Sequence, residues 1–221
     1  MGKRLAYLHT VAGLTATFKA LSDELLPGID LFHIVDESLL QNTIRANQLT
    51  PQTMRRLLRL VISAEEAGAD VVMVTCSSVG PAVEASRPFV RIPVLRVDEP
   101  MAELAVQSGA TIGVAATLPT TLKPTADLIS SVAARQGKSI QVVSKLCEGA
   151  FQAVVSGDPA RHDQLVSAGL QELAPQVDVV VLAQASMARV IETLPAETRR
   201  VPILSSPRLA VERLAQLIPA L

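Results

Sequence analysis

The residue of this chain best suited to chemistry is Cys76, in the run Val74, Thr75, Cys76, Ser77, Ser78, Val79, Gly80, between an apolar strand pattern and a short helical one. A thiol at a helix start meets backbone N–H groups and the positive end of the helix dipole, which stabilise its anion and would lower its pKa. Hydroxyls at Thr75, Ser77 and Ser78 surround it, a composition at odds with the dry sites in which a free cysteine serves as a small hydrophobe. The chemistry this predicts is acid–base or nucleophilic work by a poised thiolate, with the same amides and hydroxyls holding a substrate carboxylate. The second cysteine, Cys147, also ends a strand pattern. Two cysteines this far apart make no disulfide framework, and neither lies in a metal-ligand pair such as CxxC, so a reducing cytoplasm is expected.

The chain repeats itself around this thiol. Asp70 to Pro100, DVVMVTCSSVGPAVEASRPFVRIPVLRVDEP, is echoed from Asp178 to Pro207 as DVVVLAQASMARVIETLPAETRRVPILSSP. The shared offset places Cys76 on Gln184, Ser78 on Ser186 and Val79 on Met187, and one inserted residue later Pro93 falls on Pro202. Arg4 to Thr10 matches Thr111 to Thr117, so Thr10 and Thr117 close equivalent strands, and Asp36 and Glu37 stand opposite Cys147 and Glu148. Two copies of one unit are expected. Each reads as a buried strand, a polar tip, a helix, a turn and another strand, the pattern of a parallel α/β sheet, whose ligands bind at the carboxyl ends of the strands. Both tips are therefore expected to face one cleft, one bearing a thiol and the other an amide.

The elements that must position these residues follow from periodicity. Strands are predicted at Leu5–Leu8, Ile29–Val35, Asp70–Val74, Val94–Val97, Thr111–Ala115, Ile140–Leu146, Val179–Leu182 and Val201–Leu204. Helices are predicted at Gly13–Leu26, Thr53–Ala67, Pro81–Ser86, Pro100–Ser108, after Thr120 through Ala134, Gly149–Val155, Pro159–Leu173 and Ser186–Thr193, with Asp36–Leu40 as an exit loop and a closing helix Leu209–Leu221 that packs back on the first half. The fold class is α/β, two pseudo-symmetric Rossmann-like lobes of parallel sheet with the active site between them. Their expected bounds are residues 1–98 with 208–221, and 99–207.

Composition narrows the function. The formal net charge is −1 and no more than two basic residues adjoin, so the cationic footprint of a nucleic-acid binder is missing. Aromatics at 2% also give no platform for stacking bases. Leu104 to Leu122 is uncharged, but Gln107, Gly109, Gly113 and Pro119 make it unsuited to cross a membrane, and the start of the chain reads as a strand and not as a leader peptide. A small carboxylic acid is the expected partner, with no nucleic acid, no membrane and no metal; a homodimer is an open possibility.

Segment Asp70 to Ser78 resembles the first cysteine motif of the aspartate/glutamate/hydantoin racemase superfamily, and Leu182, Ala183, Gln184, Ala185, Ser186 and Met187 occupy the places of its second. Ile112 to Thr120, IGVAATLPT, is similar to the family's strand and carboxylate-binding loop, with Thr117 and Thr120 matching its two threonines. The resemblance implies an enzyme that uses no pyridoxal phosphate, other cofactor or metal, in which two cysteines flank the carbon beside a carboxylate, one removing a proton and the other returning one. This chain keeps the first cysteine and carries Gln184 for the second. Cys76 and His9, which ends the first strand, are the expected catalytic residues. Thr10, Thr75, Ser77, Ser78, Thr117, Thr120, Gln184, Ala185 and Ser186 are the expected substrate-binding ones. Racemisation or isomerisation of an amino acid, hydantoin or dicarboxylate is the leading expectation. A single-cysteine lyase such as a decarboxylase, covalent addition of Cys76 to a double bond, and a non-catalytic acid-binding protein stand as alternatives.

Overall fold

The structure, a computed structural model, describes residues 2–221. The chain divides into two compact units, one of residues up to Glu99 together with Pro207–Leu221 and the other of Pro100–Ser206. Unit 1 contains β1 (Arg4–His9), α1 (Leu14–Leu25), β2 (Asp30–Val35), α2 (Glu37–Ala46), α3 (Pro51–Glu66), β3 (Val71–Val74), α4 (Gly80–Ser86) and β4 (Val94–Arg96). Its four strands are parallel in the order β2-β1-β3-β4. Unit 2 contains α5 (continuing from Glu99 to Ser108), β5 (Thr111–Ala116), α6 (Pro119–Arg135), β6 (Gln141–Leu146), α7 (Ala150–Val155), α8 (Pro159–Leu173), β7 (Val179–Leu182) and β8 (Ile203–Ser205). These strands are again parallel, in the order β6-β5-β7-β8. The second unit therefore repeats the first strand for strand.

Burial explains why the central strands read so plainly. All four residues of β3 and all four of β7 are buried, because helices cover both faces of a parallel sheet. The edge strands β2 and β6 stay half-exposed and carry polar residues. The closing helix α9 (Ser206–Leu217) sets Ala210, Val211 and Leu214 into the core of unit 1 with Leu5, Tyr7, Phe18, Val71 and Met73.

Three elements depart from the sequence expectation. Asp36–Leu40 is no open loop: Asp36 caps α2 by accepting the Ser38 N–H, and Asn47 ends that helix in the left-handed region. Its apolar stripe is too thin to declare it. α3 starts at Pro51, with the Thr50 hydroxyl accepting the Thr53 N–H. The segment after β7, expected as an α-helix, is a 3-10 helix over Ala185–Thr193.

Equivalent carboxylates pin both central strand pairs at their starts. Asp70 Oδ2 accepts the Arg4 N–H at 2.8 Å while the Asp70 N–H donates to the Arg4 carbonyl at 2.7 Å. Asp178 Oδ2 accepts the N–H groups of Ala110 and Thr111 at 2.9 and 2.8 Å, and its own N–H donates to the Thr111 carbonyl at 2.8 Å. Asp178→Ala should lower unfolding free energy by about 1–2 kcal/mol, as expected for losing charge-assisted bonds at an exposed site. Urea unfolding checks this, and the same loss is expected for Asp70→Ala.

Candidate active site

Cys76 follows β3 and opens the 3-10 turn Ser77–Val79 that leads into α4. Cys76 is half-buried as a residue, and its sulfur is met by the Thr10 hydroxyl, the N–H groups of Ser78 and Val79, and the Ser78 hydroxyl. Thr10, Thr75, Ser77 and Ser78 are all buried, so the tip of unit 1 is a cup of hydroxyls and amides around one thiol. The expected lowering of the thiol pKa is corrected. Burial outweighs the four hydrogen-bonding groups and pushes Cys76 above its ordinary value, so the resting group is the protonated thiol.

Behind the tip runs a hydrogen-bonded chain. His9 Nδ1 lies 2.8 Å from Thr75 Oγ1 and His9 Nε2 lies 2.9 Å from His33 Nδ1. His9 is fully buried, ringed by Tyr7, Phe18 and His33. Burial, with the nearby His33, lowers its pKa to about 4 and keeps it neutral at physiological pH. Both nitrogens are thereby engaged, and the ring reaches the tip through the Thr75 hydroxyl instead of standing open as a direct base.

The tip of unit 2 is built on the same plan with different chemistry. Gln184 Oε1 accepts the Thr117 N–H at 2.7 Å, and Gln184 Nε2 donates to Thr117 Oγ1 at 2.8 Å. The backbone N–H can only donate, which fixes the amide orientation. Thr117 thus loses its N–H to Gln184 but keeps its hydroxyl proton to donate elsewhere. At the start of α6, Thr120 Oγ1 is buried with no hydrogen-bond partner. Of the remaining expected residues, Ala185 is half-buried and Ser186 exposed on the 3-10 helix.

Other candidates take structural roles. Cys147 packs in the core of unit 2, with burial pushing its thiol up to about 11. Asp36 caps α2 and pairs with Arg56 at 2.6 Å, while Glu37 accepts the Ala12 N–H. Asp98 forms a buried pair with Arg96. Sequence reading missed that pair and the contact of His9 with His33. The Arg96-x-Asp98 spacing, which sets two opposite charges on one side of an extended segment, was the available signal for the first. Among the described residues no group of three or more His, Cys, Asp or Glu side chains could hold a metal, and no helix is long and apolar enough to cross a membrane.

Alkylation at neutral pH should label the half-exposed Cys76 before the buried Cys147, as peptide mapping by mass spectrometry would read. A second expectation concerns acid. The folded pKa of His9 lies below its unfolded value, so its contribution is full above about pH 6.5 and is lost as pH falls toward 4. That contribution is at most roughly 3 kcal/mol. His9→Gln should flatten the pH dependence of unfolding free energy in this window.

Comparison with known proteins agrees with the architecture. A model of the Asp/Glu/hydantoin racemase family matches residues 9–214. No curated protein matches at the level of sequence. Among solved structures, glutamate racemase from Bacillus anthracis superposes with a TM-score of 0.74 at 19% identity, covering 99% of this chain and 82% of that one. Glutamate racemase from Francisella tularensis, in complex with D-glutamate, gives 0.76 at 15% identity, covering 99% and 81%. Allantoin racemase from Klebsiella pneumoniae gives 0.69 at 16%, covering 99% and 89%. With the family profile spanning nearly its whole length and both sheets in place, the chain belongs to the Asp/Glu/hydantoin racemase family.

Proposed function

We propose that the protein is a cofactor-independent enzyme that moves a proton at the carbon beside the carboxylate of a small acid, by racemisation or isomerisation, with Cys76 as the proton carrier. The observation that carries this reading is the sulfur of Cys76 met by two N–H groups and two hydroxyls at the end of a buried strand. Once formed, a thiolate there is stabilised by those groups, and a thiol with that support can both take and return a proton. Thr117 and Thr120 are the groups proposed to hold the acid, since one hydroxyl keeps a proton to donate and the other lacks a partner. His9 is proposed to act behind Thr75, keeping its hydroxyl oriented.

A lyase reading is favoured by one specific observation. At the place equivalent to Cys76, unit 2 carries Gln184, an amide that serves as neither acid nor base near neutral pH, already bonded twice to Thr117. A resting thiol that protonates one face of an enediolate, left by loss of carbon dioxide, needs no second acid or base.

Incubation of amino acids, hydantoins and dicarboxylates in deuterated water separates the readings. Deuterium in recovered acid with loss of optical purity marks the racemase, and release of carbon dioxide marks the lyase. Saturable binding with neither would overturn both. Cys76→Ala should slow the reaction by about 10²–10⁴-fold. Thr120→Val should leave thermal stability unchanged or raise it, because it removes an unpartnered buried hydroxyl, while weakening acid binding by about 1–3 kcal/mol. Protection of Cys76 from alkylation by the acid reads that binding directly.

A further inference from the structure

The tip that bears the thiol stands on a buried ion pair, joined by one exposed glutamate, that the proposed chemistry does not use. Arg96 ends β4 and is 3% exposed, and Asp98 is fully buried. Arg96 Nε and Nη2 donate to the two carboxylate oxygens of Asp98 at 3.0 and 2.9 Å, and Nη1 donates to Glu84 at 2.5 Å. Apolar residues in such a place are often as stabilising as a buried pair, so stability alone gives no reason for it. One cation faces two carboxylates, so the cluster offers the thiol no net positive charge either.

Gly80 supplies the reason. Its backbone is helical, with φ −50° and ψ −45°, a conformation that alanine takes more readily than glycine. Space, not torsion, demands the missing side chain: a Cβ there would overlap the Arg96 guanidinium. The guanidinium is thus seated against Gly80, immediately after the turn Ser77–Val79 whose Ser78 and Val79 N–H groups meet the Cys76 sulfur. The Gly80 N–H closes that turn on the Ser77 carbonyl.

The second unit provides an internal comparison. Val74 lies opposite Arg96 in one sheet and Leu182 opposite Ser205 in the other, so Ser205 holds the place of Arg96. Ala188 holds the place of Gly80 at the offset that pairs Cys76 with Gln184. The copy with a thiol has both the glycine and the guanidinium, and the copy with an amide has neither.

We infer that Arg96, clamped by Asp98 and Glu84 and seated against Gly80, is a positioning residue that fixes the Ser77–Val79 turn so that its N–H groups stay on the sulfur of Cys76. Its functional meaning rests on the reading of Cys76 as the reacting group. Two variants test the geometry without removing charge. Arg96→Lys keeps the cation but loses the planar fork. Gly80→Ala keeps every charged group and forces the guanidinium away from the turn.

The measurement is the pH profile of Cys76 alkylation by iodoacetamide in a Cys147→Ala background, with thermal melting followed in parallel. Both variants should raise the thiol pKa by about one unit, which slows alkylation near pH 8 roughly tenfold. Arg87→Gln, which breaks the Arg87–Glu99 pair beside the same strand, should lower the melting temperature and leave the profile in place. Should Arg96→Lys fail to fold, Gly80→Ala still decides. Folded variants with the parental profile would overturn the inference, as would an equal shift in Arg87→Gln. If the profile moves as expected while Cys76→Ala remains active, the proposed function falls and the positioning role stands.

Discussion

Register between the two central strands of each unit is the constraint on which the candidate site depends. Asp70 ties the start of β3 to Arg4 on β1, and Asp178 ties the start of β7 to Thr111 on β5. From each tied residue the chain runs six residues to a tip: Thr10 and Cys76 in unit 1, Thr117 and Gln184 in unit 2. Equal runs on parallel neighbours bring their ends level, which is why a threonine meets the facing tip residue in both copies. A slip of one residue would turn every side chain to the opposite face and part those pairs.

Two opposing effects then set the character of the thiol. Desolvation favours the neutral form, while N–H groups and hydroxyls directed at the sulfur favour the anion. In the free protein burial prevails, so the anion is the less populated state but one for which the surroundings are already arranged. Preorganised donors cost no reorganisation at the moment charge develops, which suits the proton-carrying role proposed for Cys76.

The parts of this design that were legible in the sequence are those carried by periodicity and by the repeat. Buried parallel strands leave unbroken apolar runs, and the hydroxyls and thiol that end them mark the tips; the offset between copies aligns Cys76 with Gln184 and Thr10 with Thr117. Helix α2 escaped because only Leu39 and Thr43 of its ten residues are buried, too narrow a stripe to register as helical. The contact of His9 with His33 escaped for another reason. It depends on the register of β1 against β2, in which His33 lies opposite Tyr7 and only the side chains bring the two rings together. The sign of the thiol shift was equally hidden, because the helix start is written in the sequence while the degree of desolvation is a property of the packed protein.

Two units of the same strand order carry tips of different capacity. A glutamine can donate and accept at once, and Gln184 does both toward Thr117 with a side chain that is neutral and does not titrate near neutral pH. A thiol has a single atom for both tasks and is weak at each. It accepts weakly as a neutral group and strongly as an anion, so the groups around Cys76 discriminate between its protonation states where those around Gln184 have nothing to discriminate. The difference between the tips is therefore more than a count of thiols: under the proposed function, proton transfer by a tip residue belongs to unit 1, while unit 2 offers hydroxyls and amides, groups that can hold an anion without altering its charge.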